Sequence, residues 1–492
     1  MDSEKETLSQ EIAPSPKVDA VGGANQPCPT ELRRLLRKID LRVIPILALL
    51  YFLSFLDRGN IGNAEIQGLS TDLNLVGNQY NWCLTIFFFP YSFFEPLCNL
   101  LLVRFKPSIW LPSIMVAWGV VTTLLGIVQN YSGLLAARFF LGLSEGGLFP
   151  GLAFYVSLWY PRANAQFRLA LIFASASMAG AFSGLLAFAI SKMDGVGGLE
   201  GWRWIFILEG LLTVVCAVLA FFVIWDEPST ATFLSDREKA IIIDLLADSR
   251  ASSSEGQLEE KSAFDWKQFL AAVLDWQTWM HAISYWGAAV AVYALSLFLP
   301  TIIKGLGYSS AIAQLLTIPV YAAASIACIA VGYFSDRMGQ RSLFTLVCYG
   351  AVFVGFLIAV APSRFIPGLT YAGCFIAASG SYPAIPGLLA LSSNNYAPAT
   401  KRAVGMAIQI GLGSLGGAAA SNFYKKTDAP RYRLGHSLVL AFVALGFLTV
   451  VLYYFLCRRI NAKRDRGEAT ASQNPDGIFE MGDKAPTFRY NL

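Results

Sequence analysis

Long apolar runs without a single acidic or basic residue dominate this sequence. Residues 109–128 and 169–190, for example, contain no Asp, Glu, Lys or Arg. Because an α-helix rises 1.5 Å per residue, about 20 such residues cross the roughly 30 Å hydrocarbon core of a bilayer. Each run therefore predicts a transmembrane helix, and the lipid bilayer is the expected environment of the chain.

Twelve such runs can be counted along the chain. The candidate spans are 41–58, 80–103, 109–129, 133–159, 169–190, 205–225, 279–303, 312–334, 343–361, 365–391, 403–423 and 437–457. A polar segment, 226–275, follows the sixth span and contains Ser235 and Glu238, whose spacing predicts a capping box at the start of a short helix. The sequence therefore predicts an all-α membrane protein of about twelve transmembrane helices in two six-helix halves.

Composition excludes several other classes of protein. With 55% hydrophobic and 14% charged residues, the chain is too apolar for a soluble globular protein of its 492 residues. The net charge of +4 comes from basic residues at span ends, so it does not indicate nucleic-acid binding. The eight Cys lie mostly inside apolar spans, which argues against a disulfide framework or a zinc site. We expect no cofactor, no metal and a functional monomer.

The distribution of basic residues predicts the topology. Lys and Arg cluster before the first span and after the last one, which places both termini in the cytosol of a multi-pass protein, with the plasma membrane as the expected location. The expected domains are a tail with an interfacial helix (1–40), two halves (41–225 and 276–457), a linker (226–275) and a tail (458–492). One basic loop, which contains Lys426, falls on the predicted outer side, where the topology rule does not explain its charge; it is a candidate part of an outer vestibule.

Ionisable residues inside the spans are few, and such residues usually face a bundle interior or an aqueous cavity. Arg138 and Glu145 are seven residues apart, so they project from one face of span four. Asp57 and Arg58 in span one fall at a comparable depth. We interpret these four residues as one transport site; the alternative is that they only neutralise one another and brace the helices.

Other residues are weaker candidates. Glu95 in span two and Glu209 near the start of span six are buried-charge candidates, the first beside Pro96 and the second near Arg203. Glycine-rich faces, such as that of Gly142 and Gly146 in span four, predict close helix packing. Two further residues are interpreted as surface histidines: His281 and His436.

Six stretches of the sequence are distinctive motifs: LDRGNIGNA (56–64), FEPLCNLLLVRFKPS (94–108), RFFLGLSEGGLFPG (138–151), WYPR (159–162), GWRWIFILEG (201–210) and GYFSDRMGQR (332–341). Together they resemble the anion:cation symporter family of the major facilitator superfamily, in its fungal allantoate permease branch. The stretches SLFLPTIIKGLGY (296–308) and APRYRLGH (429–436), with the ending FRYNL, resemble most closely the nicotinic acid permease group.

The resemblance implies an alternating-access carrier in which Arg58 pairs with a substrate carboxylate while Asp57 and Glu145 titrate. It also aligns Arg138 with the span-four Arg of the family, a second substrate-binding residue. Span eleven has Ser414 where relatives often have Asn, so Ser414 is a further candidate contact and nicotinate is not assumed.

These observations lead us to expect symport of a small organic anion, namely a carboxylate, vitamin-like or nitrogen-containing metabolite, with protons. An efflux carrier for a secondary metabolite and a nutrient receptor that does not transport stay as alternatives. An enzyme is not expected, because the two distant His and the scattered Cys offer no metal or nucleophile cluster.

Overall fold

A computed structural model describes residues 28–102, 105–251, 266–360, 366–397, 399–467, 482–486 and 488–492. Within these ranges all regular structure is helical. The helices are α1 (Pro29–Ile66), α2 (Leu69–Asp72), α3 (Gln79–Leu102), α4 (Pro107–Leu125), α5 (Tyr131–Glu145), α6 (Leu148–Trp159), α7 (Arg162–Ile190), α8 (Gly201–Val223), α9 (Asp236–Ala251), α10 (Trp266–Val273), α11 (Trp276–Gly305), α12 (Ser310–Met338), α13 (Arg341–Val360), α14 (Pro367–Asn395), α15 (Ala399–Ala420) and α16 (Arg433–Asp465).

The predicted spans correspond to these helices. Within the described ranges, eleven helices are long and apolar enough to cross a membrane, α5 and α6 being counted together as one. The predicted second span is α3, a helix of 24 residues that packs among the others. Large apolar side chains such as Phe222, which is 81% exposed, cover the outer surface, as expected of a protein that faces lipid.

The helices form two halves. In the first half α1 packs on α7, α3 on α5, and α4 on α8. In the second half α11 packs on α15 and α16, and α13 packs on α14. The halves meet where α7 contacts α12, α3 contacts α15, and α1 contacts α11. This arrangement agrees with the predicted fold of two six-helix halves.

Two predicted spans differ in detail from the helices that form. The predicted interfacial segment and span one are a single helix, α1, which continues eight residues past Arg58 to Ile66. Span four is broken after Glu145, because Gly146 and Gly147 separate α5 from α6. Asn130 caps the start of α5 by accepting the backbone N–H of Gly133 at 2.8 Å.

The predicted close packing of the span-four glycines is confirmed. A Cβ on Gly146 would lie 2.8 Å from the carbonyl oxygen of Tyr91 in α3, and a Cβ on Gly142 would collide with the carbonyl group of Phe87. Only glycine allows α3 and α5 to approach this closely. By contrast, a Cβ on Gly411 in α15 would meet nothing within 4 Å.

We call the end of the bundle that contains Lys38, Arg168 and Arg341 the proximal end, and the end that contains Ile66 and Tyr424 the distal end. At the proximal end the predicted capping box forms, since Ser235 and Glu238 exchange backbone and side-chain hydrogen bonds. Glu238 also accepts from Lys38 at 2.6 Å, which attaches α9 to the start of α1. The predicted linker therefore contains the helix α9, which contacts the first half.

The last residues of the chain dock on the second half, also at the proximal end. Lys401 lies 2.5 Å from Asp275 and 2.7 Å from Asp483, so a buried lysine joins the tail to α15 and to the residue that precedes α11. Tyr490 packs in an apolar cluster with Leu391 and Tyr453. The backbone carbonyl of Leu492 accepts from the backbone N–H of Arg341 at 3.1 Å.

Candidate functional site

A large cavity separates the two halves at the proximal end. Its volume is about 730 Å³, and residues from both halves line it, including Phe149 and Phe173 from the first and Arg341 and Arg402 from the second. Among the described lining residues Glu95 is the one carboxylate. A cavity of this size, with mostly apolar walls and few polar groups, is typical of a small-molecule site.

Contacts between the halves close the distal end. The rings of Phe88 in α3 and Tyr293 in α11 lie 4.8 Å apart in an edge-to-face arrangement. Lys304 donates to the carbonyl of Ile66 at 2.7 Å, which joins α11 to the end of α1. The bundle is therefore accessible from its proximal end and sealed at its distal end.

The predicted basic loop takes part in this closure. Lys426 lies 2.8 Å from Glu65 at the end of α1, so a residue of the second half bridges to the first. The start of the loop is held as well, since Asn81 in α3 donates to the carbonyls of Ser421 at 2.5 Å and of Tyr424 at 3.3 Å. The basic residue that charge topology left unexplained thus has a partner across the two halves.

An ion pair lies between the cavity and the closed end. Nε of Arg58 donates to Oε1 of Glu145 at 2.7 Å, and both side chains are buried, at 8% and 1% exposure. The guanidinium lies 4.8 Å from the ring centroids of both Phe55 and Tyr91. An ion pair that has lost its water needs such additional contacts to be stable.

Asp57 faces a different set of helices, although it is adjacent to Arg58. Successive residues of a helix point about 100° apart, so one side chain faces α4 and α8 while the next faces α5. Oδ2 of Asp57 accepts from Nε1 of Trp118 at 2.9 Å and from the hydroxyl of Thr213 at 3.3 Å. Its second oxygen, Oδ1, is buried and has no hydrogen-bond partner among the described residues.

Arg138 is the unusual member of the group. It is 2% exposed, and its Nε and Nη2 have no hydrogen-bond partner in the described part of the chain. It lies near enough to Asp57 and Glu145 to interact electrostatically with both. A buried guanidinium without full hydrogen bonding is costly, so this geometry suits a site that another group completes.

A small cavity joins the two arginines. Arg58, Arg138 and Tyr293 line it, and its volume of about 10 Å³ is roughly that of one water molecule. The four predicted residues therefore gather in one buried cluster, as the helical spacing of Arg138 and Glu145 and the depth of Asp57 indicated. We call Asp57, Arg58, Arg138 and Glu145 the charge cluster.

The weaker candidates separate into three environments. Glu95 lines the large cavity. Glu209 instead accepts from Nδ2 of Asn60 at 2.7 Å, while the nearby Arg203 pairs with Glu200. Ser414 is buried close to the hydroxyl of Tyr293, at the boundary between the two halves.

The sequence alone did not identify three polar partners of the candidate carboxylates. Trp118 and Thr213 hold Asp57, and Asn60 holds Glu209. Asn60 lies two residues after Arg58 in the motif LDRGNIGNA, and this position was a sequence signal that could have identified it. The other two lie in apolar runs, where a Trp or Thr gives no sign that a polar group in a distant span is its partner.

The interpretation of both histidines as surface residues is wrong. His281 and His436 are each 2% exposed. His281 packs on Tyr396 and Tyr453, and His436 hydrogen-bonds the hydroxyl of Tyr424 at 3.0 Å. Both were judged from their position at span ends, whereas aromatic neighbours from other helices cover them. Among the described residues no group of three or more metal-ligating side chains occurs.

Comparison with known proteins identifies related transporters. The sequence profile of the Major Facilitator Superfamily matches residues 47–421. The chain is 35% identical over 474 residues to the MFS-type transporter cnsO of Penicillium expansum, with 94% of this chain and 90% of that protein covered. It is 33% identical over 465 residues to the high-affinity nicotinic acid transporter of Saccharomyces cerevisiae, with 93% and 84% covered.

A solved structure has the same fold. The bacterial homolog to the human lysosomal transporter Spinster superposes with a TM-score of 0.62 at 16% sequence identity, and the match covers 84% of this chain and 96% of that one. Identity this low carries information about the fold and not about the cargo.

Proposed function

The chain belongs to the Major Facilitator Superfamily, and from this premise we propose that it is a secondary active symporter that carries a small organic anion together with protons. Family membership makes it a multi-pass membrane transport protein and not an enzyme. The nature of the cargo, the coupling to protons, the plasma membrane as its location and the cytosolic termini are parts of the proposal.

One observation carries the proposal: beside the Arg58–Glu145 ion pair lies Arg138, a buried guanidinium whose Nε and Nη2 have no hydrogen-bond partner among the described residues. An anionic ligand would supply the missing acceptors and neutralise the charge. The name of one relative specifies nicotinic acid, a small organic acid, which supports an organic anion as cargo.

Charge balance then links the anion to protons. While Glu145 is ionised it occupies Arg58, so a substrate carboxylate competes with it. When Glu145 takes up a proton it no longer needs the guanidinium, and the substrate carboxylate replaces it on Arg58. In this proposal Asp57, which interacts with both Glu145 and Arg138, takes up a second proton. Loading one anion with protons keeps the buried charge close to constant.

The transport cycle follows from the two ends of the bundle. In the sealed state the distal contacts, such as Lys426 with Glu65, hold the halves together while the cavity opens at the proximal end. Rocking of the halves would break these contacts and expose the charge cluster to the distal side. The substrate would bind from one side and leave to the other.

The test is uptake in proteoliposomes that contain the purified protein, with a panel of radiolabelled monocarboxylates. We expect a gradient of protons directed inward to drive accumulation, and Arg138→Ala to reduce it at least ten-fold. Arg237→Ala is the matched control, since Arg237 is 78% exposed and pairs with Glu31 on the surface.

The alternatives give different results in the same assay. An efflux carrier would extrude the anion against the proton gradient instead of accumulating it. A receptor that does not transport would be stabilised by the anion without any flux. Accumulation that is equal with and without the gradient would rule out the coupling to protons.

A further inference from the structure

The large cavity and the charge cluster are separate spaces in this state of the protein. Among the described residues that line the large cavity, neither Arg58 nor Arg138 occurs. Arg58 is 7% exposed and lines the small cavity instead, together with Phe87 and Ser296. At about 10 Å³ the small cavity holds no more than one water molecule. An anion that enters from the proximal end therefore needs a passage from the large cavity to Arg58.

Aromatic rings surround the guanidinium of Arg58. The ring centroids of Phe55 and Tyr91 lie 4.8 Å from it, and that of Phe87 lies 5.7 Å from it. Phe87 lines the small cavity. Tyr91 lies one helical turn before Glu95 on the same face of α3, and Glu95 lines the large cavity. Tyr91 is therefore the ring that lies between Arg58 and the large cavity.

The backbone at Tyr91 is fixed, whereas its side chain is not. A Cβ on Gly146 would lie 2.8 Å from the carbonyl oxygen of Tyr91 and 3.3 Å from its Cα, so α3 and α5 are already in contact at this point. A shift of α3 toward α5 would bring their backbones into collision. A tyrosine side chain has a second staggered rotamer available in a helix, so rotation of the ring uncovers Arg58 without moving the helix.

We propose that Tyr91 is an internal gate of the substrate path, whose ring covers Arg58 on the side of the large cavity and rotates to admit the carboxylate of the anion. This inference rests on the proposed function, in which Arg58 receives that carboxylate. Without substrate, the ring stabilises the buried guanidinium through a cation–π contact. A carboxylate replaces this contact with charge-assisted hydrogen bonds, which are stronger, so the arrival of the anion favours the open position.

The experiment measures how fast a thiol behind the ring reacts with a reagent that enters from the proximal end. Ser296→Cys places a thiol in the small cavity, and the native Cys328, which lines the large cavity, is the reporter in front of the ring. The background carries Cys28→Ser, and a disulfide between Glu65→Cys and Lys426→Cys locks the distal end. The reagent is the anionic 2-sulfonatoethyl methanethiosulfonate, and peptide mass spectrometry gives the rate at each thiol.

The expected rates follow from a gate that is open only part of the time. A minor conformer populated to about 10% or less slows access about ten-fold or more, so the Ser296→Cys thiol should react at least that much more slowly than Cys328. Tyr91→Ala removes the ring and should raise the rate at Ser296→Cys about ten-fold or more. Tyr91→Phe keeps the ring and should leave that rate within about three-fold of its original value. Cys328 should react equally fast in all variants.

A matched control removes a different ring of the same cavity. Phe344→Ala takes an aromatic side chain from the wall of the large cavity in α13, so it widens the cavity without uncovering Arg58. It should leave the rate at Ser296→Cys unchanged. If Tyr91→Ala does not fold, Tyr91→Val also lacks the ring and takes its place.

The outcomes separate the gate from the proposed function. Equal rates at Ser296→Cys and Cys328 in protein that retains Tyr91 overturn the inference, and so does a slow rate at Ser296→Cys that persists after the ring is removed. An equal effect of Phe344→Ala also overturns it. The labelling involves neither cargo nor protons. If the rates are as expected and the protein without the disulfide takes up no monocarboxylate, the gate stands and the proposed cargo fails.

Discussion

The Nε of Arg58 lies 2.7 Å from Oε1 of Glu145, in a buried contact between α1 and α5 that joins residues 87 positions apart in the chain. The neighbouring Arg138 is buried as deeply, but its Nε and Nη2 have no hydrogen-bond partner among the described residues. Arg58 therefore has a hydrogen-bonded counterion in the described part of the protein, and Arg138 does not. This asymmetry is the basis for the predictions about coupling and substrate binding.

Arg58→Lys is expected to lower kcat/KM for the transported anion about ten-fold or more. A guanidinium can hold a carboxylate through two parallel hydrogen bonds, and its plane stacks on Phe55 and Tyr91, whereas an ammonium can do neither. Initial uptake rates across a range of substrate concentrations measure the change. Arg237→Lys at the surface is the control, and unchanged affinity in Arg58→Lys would exclude a direct role in binding.

Glu145→Gln is expected to abolish accumulation driven by the proton gradient while exchange of labelled for unlabelled substrate continues. Glutamine imitates the protonated acid, so Arg58 is released permanently and no proton is carried at this position. Uptake with and without a gradient, beside counterflow without one, measures both activities. Full accumulation in the variant would transfer the coupling role to Asp57.

Gly146→Leu is expected to reduce the amount of folded protein or stop transport, because the new side chain meets the carbonyl oxygen of Tyr91. Overpacking of this kind costs about 1–3 kcal/mol. Gly350→Leu is the matched control, since a Cβ on Gly350 meets nothing within 4 Å. Expression, thermal unfolding and flux are compared for both. Equal results for the two variants would contradict the tight contact of α3 with α5.

Gly62→Ala is expected to weaken the distal closure, because its methyl group would lie 2.5 Å from the carbonyl oxygen of Leu297 in the other half. Cross-linking of Glu65→Cys with Lys426→Cys, in a background with Cys28→Ser, measures how often this end is closed. Gly59→Ala on the same helix is the control, as its methyl group meets only Ser183 of the same half. A cross-linking yield that does not fall would contradict the role of this contact.

Docking of the C-terminal tail is expected to weaken as the pH rises. Burial raises the pKa of Asp483 above its usual range, and the lysine beside it, Lys401, only partly offsets this. The docked tail thus binds a proton more tightly than the free tail, so docking is strongest below the ordinary pKa of 3.8 and weakens as the pH passes through the raised value. Protease cleavage within 482–492, followed over pH, measures it; Asp483→Asn should remove the dependence.

The sequence by itself determined the features that depend on local patterns. The length and apolarity of each run determined where the transmembrane helices form, since a segment in lipid must satisfy its backbone hydrogen bonds internally. The spacing of Arg138 and Glu145 set their shared face, because seven residues are nearly two turns of any α-helix. Sequence motifs in the same spans were sufficient to indicate the family of the protein.

Only the tertiary structure decided which groups pair. Whether Arg58 or Arg138 binds Glu145, whether Asp57 meets Trp118, and whether His281 is buried depend on how separate helices pack. The same is true of the sealed distal end, of Glu95 in the cavity wall, and of the docked tail. Each of these contacts joins residues far apart in the chain, and their distances follow from packing that no local periodicity specifies.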